Sequence, residues 1–254
     1  MTNQKPSTNL YSEVTTEAAP LNTPTRALAI GAHPDDIEFG AGGTIARWAA
    51  AGCVVTMLIV TDGSKGTWDP TMNPDTLVAA RKEEQEAAAV ALGVAEVRYL
   101  DEIDGELEYS TRLRMEMCRQ IRELTPDVVL SHDPWQRYQL HPDHRATGWA
   151  VMDGVVSARD HLFYPEQGLD AHRPEAILLW SADEPNHWED IAATLDTKVS
   201  ALLCHSTQGT TTMGGAEQTD GKRREFVEKI RRWSHEQGLP AGMEAAESFK
   251  RIAP

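Results

Sequence analysis

Short apolar runs that stop dead at polar clusters alternate with helical patterns along most of this chain, and that alternation leaves few folds open. Residues 26–31 (Arg-Ala-Leu-Ala-Ile-Gly) read as a buried strand that stops at Ala32-His33-Pro34-Asp35-Asp36. Gly40-Ala41-Gly42-Gly43-Thr44 then leads into a helix over 45–51, and 53–60 is a second buried strand that ends at Thr61-Asp62-Gly63. A strand, a helix and a strand in that order imply a right-handed parallel crossover. The pattern repeats. Residues 75–92 form a helix closed by Gly93, and 97–100 form a strand. Leu113, Met117, Ile121 and Leu124 lie on one helical stripe, and 127–131 is another buried strand. A helix over 146–158, a strand over 176–180 and two later helices (Ile191, Leu195, Val199, Leu202; then Phe226, Ile230, Trp233) complete an α/β fold with a mostly parallel sheet.

The 254-residue length suits one such domain. Residues 1–25, rich in Thr, Asn, Pro and Ala without apolar periodicity, are expected to be a disordered tail, and 26–254 a single domain. No apolar run is long enough to span a bilayer, and the N-terminus does not read as a secretory signal. Three widely spaced cysteines in apolar contexts fit reduced thiols and a cytoplasmic location. The formal net charge of −15 repels phosphate backbones and anionic membranes, which argues against a nucleic-acid partner and membrane insertion.

Two proline-centred segments carry the chemistry. Both follow strands, at the carboxyl edge of a parallel sheet, where open α/β sheets form ligand crevices. In the first, His33 precedes a proline and is held extended. Asp35 and Asp36 then diverge, so one can bind a metal while the other faces its water. A divalent ion removes the repulsion between two such carboxylates. Glu38 reads either as an acceptor that orients His33 or as a surface glutamate, and Gly40, Gly42 and Gly43 as close backbone approach to the metal loop or substrate. In the second segment, His141-Pro142-Asp143-His144, Pro142 opens a helix with His141 at its cap. His144 then presents its imidazole from the first turn, and His141 can approach a reacting carbonyl. Asp143 can hold an imidazole and favour its protonation, whereas the helix N-terminus opposes it.

His33-Pro-Asp-Asp-Ile-Glu-Phe-Gly-Ala-Gly-Gly43, Thr61-Asp62-Gly63 and His141-Pro-Asp-His-Arg145 resemble the LmbE-like, or PIG-L, family of zinc-dependent N-deacetylases. The resemblance runs from about residue 26 to residue 208 and includes Lys198 and His205-Ser-Thr-Gln208, where the lysine and histidine are expected to support the fold. It implies a Rossmann-like three-layer sandwich. It implies His33, Asp36 and His144 as zinc ligands, Asp35 as general base, and His141 as general acid or oxyanion partner oriented by Asp143. Arg81, Asp104 and Tyr138 become candidates for binding substrate. The implied reaction removes an acetyl group from an N-acetylglucosamine-type small molecule, and the implied assembly is a homo-oligomer, a trimer or hexamer.

Iron(II) or cobalt also suits a His–His–Asp set. The same catalytic residues would serve an amidase acting on thiol or antibiotic conjugates. A phosphoesterase would want two metals and more ligands, for which His132-Asp133 and Asp62 are the other candidates. A non-catalytic zinc or sugar-binding protein would not need Asp35 and His141. Trp68 and Trp135 are further candidates for stacking on a sugar ring.

Overall fold

The computed structural model describes residues 21–215 and 217–254. Most of the expected disordered tail, residues 1–20, lies outside them. Within the rest of that stretch, Leu21 packs against the core and the Thr25 backbone N–H donates to Asp127 Oδ2 at 2.7 Å.

Seven strands form one sheet: β1 (Arg26–Gly31), β2 (Val54–Thr61), β3 (Glu96–Glu102), β4 (Val128–His132), β5 (Ala176–Trp180), β6 (His187–Asp190) and β7 (Ala246–Ile252). Their order is β3-β2-β1-β4-β5-β7-β6. The first five are parallel, and β7 runs antiparallel to both β5 and β6. Helices α1 (Asp36–Ala50), α2 (Pro74–Leu92), α3 (Thr111–Leu124), α4 (Pro142–Arg159), α5 (Leu195–Leu202) and α6 (Asp220–Gly238) cover the sheet.

Strand side chains alternate between two cores. Ala27, Ala29, Val55, Met57, Val128 and Leu130 face α1 and α2. Leu28, Ile30, Leu58, Val60 and Val129 face α3 and α4. Because both faces are covered, β1, β2, β4 and β5 are apolar at nearly every position, which is why they read as continuous runs. A third cluster, with Ile191, Val199, Phe226 and Ile230, seats α6 against α5. Among the described residues no helix is long and apolar enough to cross a membrane.

Two features depart from the sequence reading. Strands β6 and β7 were not expected, because their residues are largely polar. Helix α1 begins at Asp36 and not near Ile45, so the glycine-rich stretch lies inside it. Those glycines do not bring the backbone to the substrate cavity. A Cβ on Gly40 would sit 2.4 Å from the Trp180 ring, one on Gly43 2.7 Å from Ile191, and one on Gly42 3.3 Å from Lys198. The helix lacks side chains at these positions so that Trp180, Lys198 and Ile191 can each pack close against it. Their burial offsets the helix propensity that glycine forfeits.

The chain leaves β1 towards β2 on one side, while β4 lies on the other. The carboxyl ends of β1 and β4 therefore flank a topological switch point, where a crevice opens. Gly40→Ala is expected to destabilise the protein by roughly 1–3 kcal/mol through overpacking against Trp180. A lowered urea midpoint at unchanged m-value would register it; an unchanged midpoint would refute the packing role.

Candidate metal centre and active site

His33 leaves the tip of β1, and the backbone then turns sharply. Asp35 has φ 96°, a left-handed conformation at the N-cap of α1, and Asp36 is the first helical residue. Aspartate and asparagine tolerate that region better than most side chains. The turn sends the two carboxylates apart, as the sequence suggested. It is braced from behind. The Asp35 N–H donates to Gln85 Oε1 at 3.2 Å, and Gln85 Nε2 donates to Glu38 Oε1 at 2.6 Å. Glu38 is fully buried beside His205, at 3.7 Å, so it neither orients His33 nor faces solvent.

From the other side of the switch point, α4 starts as the sequence predicts. His141 is its N-cap, accepting the Asp143 N–H at Nδ1, and Pro142 opens the first turn. His144 Nε2 then meets the β1 loop. It lies 3.2 Å from His33 Nδ1 and 3.2 Å from Asp36 Oδ1, while His33 Nδ1 lies 3.3 Å from Asp36 Oδ2. Donor atoms about 2.0–2.1 Å from a tetrahedral ion stand about 3.3–3.4 Å apart. Measured to the two Asp36 oxygens, the separations among these three residues match those between ligands of one tetrahedral ion.

Protonation supports the same use. His33 Nε2 faces Asp104 Oδ1 at 3.1 Å and Asp143 Oδ2 at 3.2 Å, acceptors that call for a proton on that nitrogen. In the neutral ring Nδ1 is then a lone pair aimed at another imidazole nitrogen and a carboxylate. Such an arrangement wants a cation at its centre. Without one the ring takes up a proton readily: burial disfavours the charged form, but Asp104, Asp143 and Asp36 outweigh it and hold the His33 pKa well above its usual value. Burial would raise the Asp36 pKa, yet the neighbouring His144 and His132 hold it well below the ordinary carboxylate range.

Asp35 stands outside the triangle. Burial pushes its carboxyl up to about 6; Arg81 opposes the shift and the Asp36 charge adds to it. Its Oδ2 accepts from Thr212 Oγ1 at 3.3 Å and lies 4.0 Å from Arg81 Nη2. Among the described residues Oδ1 has no hydrogen bond. The His141 pKa is lowered by burial and by His33 and His144. With Nδ1 accepting from a backbone N–H, its neutral ring carries the proton on Nε2.

Several candidates have partners that the sequence did not show, while Arg81 and Asp104 also line the cavity. The Asp143 side chain does not hydrogen-bond His141; it grips His33 and accepts the Gly105 N–H at 2.6 Å. The helical turn at Pro142 gives His141 the Asp143 backbone instead. Asp104 also grips His33, and its other oxygen accepts the Lys65 N–H at 3.0 Å, so both of its oxygens are engaged. Arg81 is buried with its guanidinium donating to Pro34 O and Gly63 O, which fixes the two loops that flank Asp35. Tyr138 is 86% exposed and does not line the cavity. Asp62 braces its own loop by accepting the Ser64 and Asp104 N–H groups. Trp135 packs edge-on against Trp149, whereas Trp68 does line the cavity.

Two further contributors have roles that the sequence reading did not give them. His132, a candidate ligand only in the two-metal alternative, lies 3.2 Å from Asp36 Oδ2 and stacks on His144. Thr212 reaches Asp35 from a turn 177 positions later. The His132-Asp133 pair is visible in the sequence, but nothing local marks Thr212. The cavity beside these groups holds about 460 Å³ and is lined by Asp35, Asp36, His141 and His144 together with Trp68 and Thr211.

A family model described as PIG-L, GlcNAc-PI de-N-acetylase, matches residues 28–155, half of the chain. The chain belongs to the PIG-L family. Diacetylchitobiose deacetylase of Thermococcus kodakarensis is 36% identical over 192 residues, which span 74% of this chain and 72% of that protein. A probable N-acetyl-α-D-glucosaminyl L-malate deacetylase of Bacillus anthracis is 28% identical over 189 residues, 71% of this chain and 80% of the relative. Among solved structures, N,N'-diacetylchitobiose deacetylase of Pyrococcus horikoshii, complexed with an inhibitor, superposes with a TM-score of 0.82 at 30% identity, covering 91% of this chain and 84% of its own. The match to the PIG-L model takes in both loops that build the donor triangle.

Asp35 makes the metal-free protein pH-sensitive in a defined direction. Its carboxyl is neutral in both folded and unfolded chains below the ordinary value of 3.8, and ionised in both above about 6. Folding must therefore bury an unwelcome charge above pH 6, at a cost on the order of 3 kcal/mol. Asp35→Asn, which keeps the left-handed turn, should raise the melting temperature of chelator-treated protein at pH 7.5. The gain should fade as pH falls through 6 towards 4. A gain that is independent of pH would contradict this origin.

Proposed function

We propose that this protein is a metal-dependent N-deacetylase that hydrolyses the acetamide of an N-acetylglucosamine-type sugar, with His33 Nδ1, Asp36 and His144 Nε2 holding one divalent ion, zinc in this reading. The observation that carries the proposal is the buried Asp35 carboxylate, left outside the three-donor set with one oxygen that has no hydrogen bond among the described residues. A structural metal site has no use for such a group. The deacetylase activities named for the relatives supply the substrate class.

When bound, the ion supplies Lewis-acid polarisation of the amide carbonyl and acidifies a water. The remaining work falls to the chain. Arg81 and Thr212 occupy Asp35 Oδ2, which leaves Oδ1 to take the proton from the attacking water. Burial strengthens the hold of this carboxylate on a proton, so it can accept one and pass it on. His141, held neutral with its proton on Nε2, donates to the oxyanion that develops on the carbonyl. Asp104 and Asp143 fix the His33 ring through Nε2, as carboxylates behind ligand histidines do. The proton on Asp35 Oδ1 then passes to the nitrogen as the C–N bond breaks. Acetate and a free amino sugar leave. Trp68 on the cavity wall is suited to stack on a sugar face. The reading includes a cytoplasmic setting, in keeping with three free thiols, and assembly of several copies.

Acetate release from N,N'-diacetylchitobiose, measured with chelator and after zinc is restored, tests the proposal. Activity should vanish and return. Asp36→Ala and His144→Ala should lose bound metal, whereas Asp35→Asn should keep it and lose about two or more orders of magnitude in turnover. Chelator-resistant acetate release, or equal metal content and activity in all three variants, would defeat it.

A further inference from the structure

Behind the donor triangle lies a buried pair of rings that touches no substrate. Trp180, the last residue of β5, is 3% exposed, and His132, the last residue of β4, is 4% exposed. Trp180 Nε1–H donates to His132 Nδ1 at 3.1 Å. An indole N–H can only donate, so a lone pair must stand on Nδ1. The neutral imidazole then carries its proton on Nε2, 3.2 Å from Asp36 Oδ2. The Ala32 backbone N–H also lies 3.2 Å from Nε2. Pairing with it would require the other tautomer, which sets a lone pair against the Asp36 carboxylate and an N–H against the indole N–H. That is two repulsions for one bond, and the tautomer that donates to Asp36 wins. His132 touches a second donor as well: its ring stacks on His144 with centroids 4.2 Å apart and planes 21° apart.

We infer that Trp180 and His132 form a positioning pair for the metal site: the indole fixes the tautomer of His132, and His132 in turn holds the Asp36 carboxylate by hydrogen bond and the His144 ring by stacking. The inference rests on the metal-site reading above. With Asp36 Oδ2 taken by His132 Nε2–H and by the His33 backbone N–H at 2.7 Å, the carboxylate is locked in rotation and Oδ1 is left facing His144. Two of the three donors are thereby pre-set before a metal arrives. Trp180 can serve because α1 carries no side chain at Gly40, against which the indole lies. Trp180 thus governs metal affinity although it is not a ligand. Partners behind metal ligands typically account for 10- to 100-fold in affinity.

The test is the zinc dissociation constant of the full chain, measured by competition with a chromophoric chelator, with the melting temperature of each metal-free variant alongside. Trp180→Phe keeps a ring in place and removes the N–H; His132→Phe removes the donor to Asp36; His132→Gln restores an amide N–H near the Nε2 position. The expected result is zinc binding about 10- to 100-fold weaker in both phenylalanine variants, with most of the loss recovered in His132→Gln. A purely packing role predicts that all three lose affinity in step with their melting temperatures, and that pattern overturns the inference. So does wild-type affinity in Trp180→Phe and His132→Phe. If the wild-type chain binds no zinc, the metal-site reading fails and this inference with it. Should His132→Phe not fold, Trp180→Phe decides alone.

Discussion

Three metal-donor side chains that converge on one point organise this molecule. His33 Nδ1, His144 Nε2 and the Asp36 carboxylate stand 3.2–3.3 Å apart in a crevice, so close that protons or a cation must lie among them. Much of the surrounding structure holds that convergence in place. Asp104 and Asp143 take the far nitrogen of His33, His132 takes the far oxygen of Asp36, and the left-handed turn at Asp35 keeps the second carboxylate out of the cluster. The sheet supplies the geometry. Parallel β1 and β4 end side by side, and one loop from each brings half of the donors.

The same low-dielectric setting separates the roles of two adjacent aspartates. Asp36 is surrounded by imidazoles and held ionised, while Asp35 is buried with one partner at the edge of ion-pair range and rises to about 6. A carboxylate that is always charged suits a ligand; one near neutrality suits proton transfer. Neighbouring positions in the chain reach these opposite conditions because the backbone reverses between them.

The parallel half of the fold was legible because strands buried on both faces must be apolar throughout, as at 27–30 and 55–60. The antiparallel edge was not. Glu189 and Glu247 are buried within β6 and β7 and find their cationic partners only in three dimensions, Arg47 for one and Lys198 for the other. A strand that buries carboxylates gives no apolar signature. The donor triangle was legible because its members sit in two short segments whose residue types serve few other purposes. What lay beyond reading was who holds whom. Asp143 stands two residues from His141 yet grips His33, and His132, a candidate only for a second metal, is set by the fold against Asp36. The glycines after the first motif were visible, but the Trp180, Ile191 and Lys198 side chains that need their smoothness come from 140 or more residues away.

The central claim is that His33, Asp36 and His144 converge on one metal ion. Anomalous diffraction at the zinc edge, from crystals of zinc-loaded protein, tests it most directly. The account predicts a single strong peak about 2.0–2.2 Å from His33 Nδ1, Asp36 Oδ1 and His144 Nε2, with His33 Nε2 still facing Asp104 and Asp143. No peak in the crevice, or a peak between Asp104, His141 and Asp143 with His33 turned towards it, would contradict it.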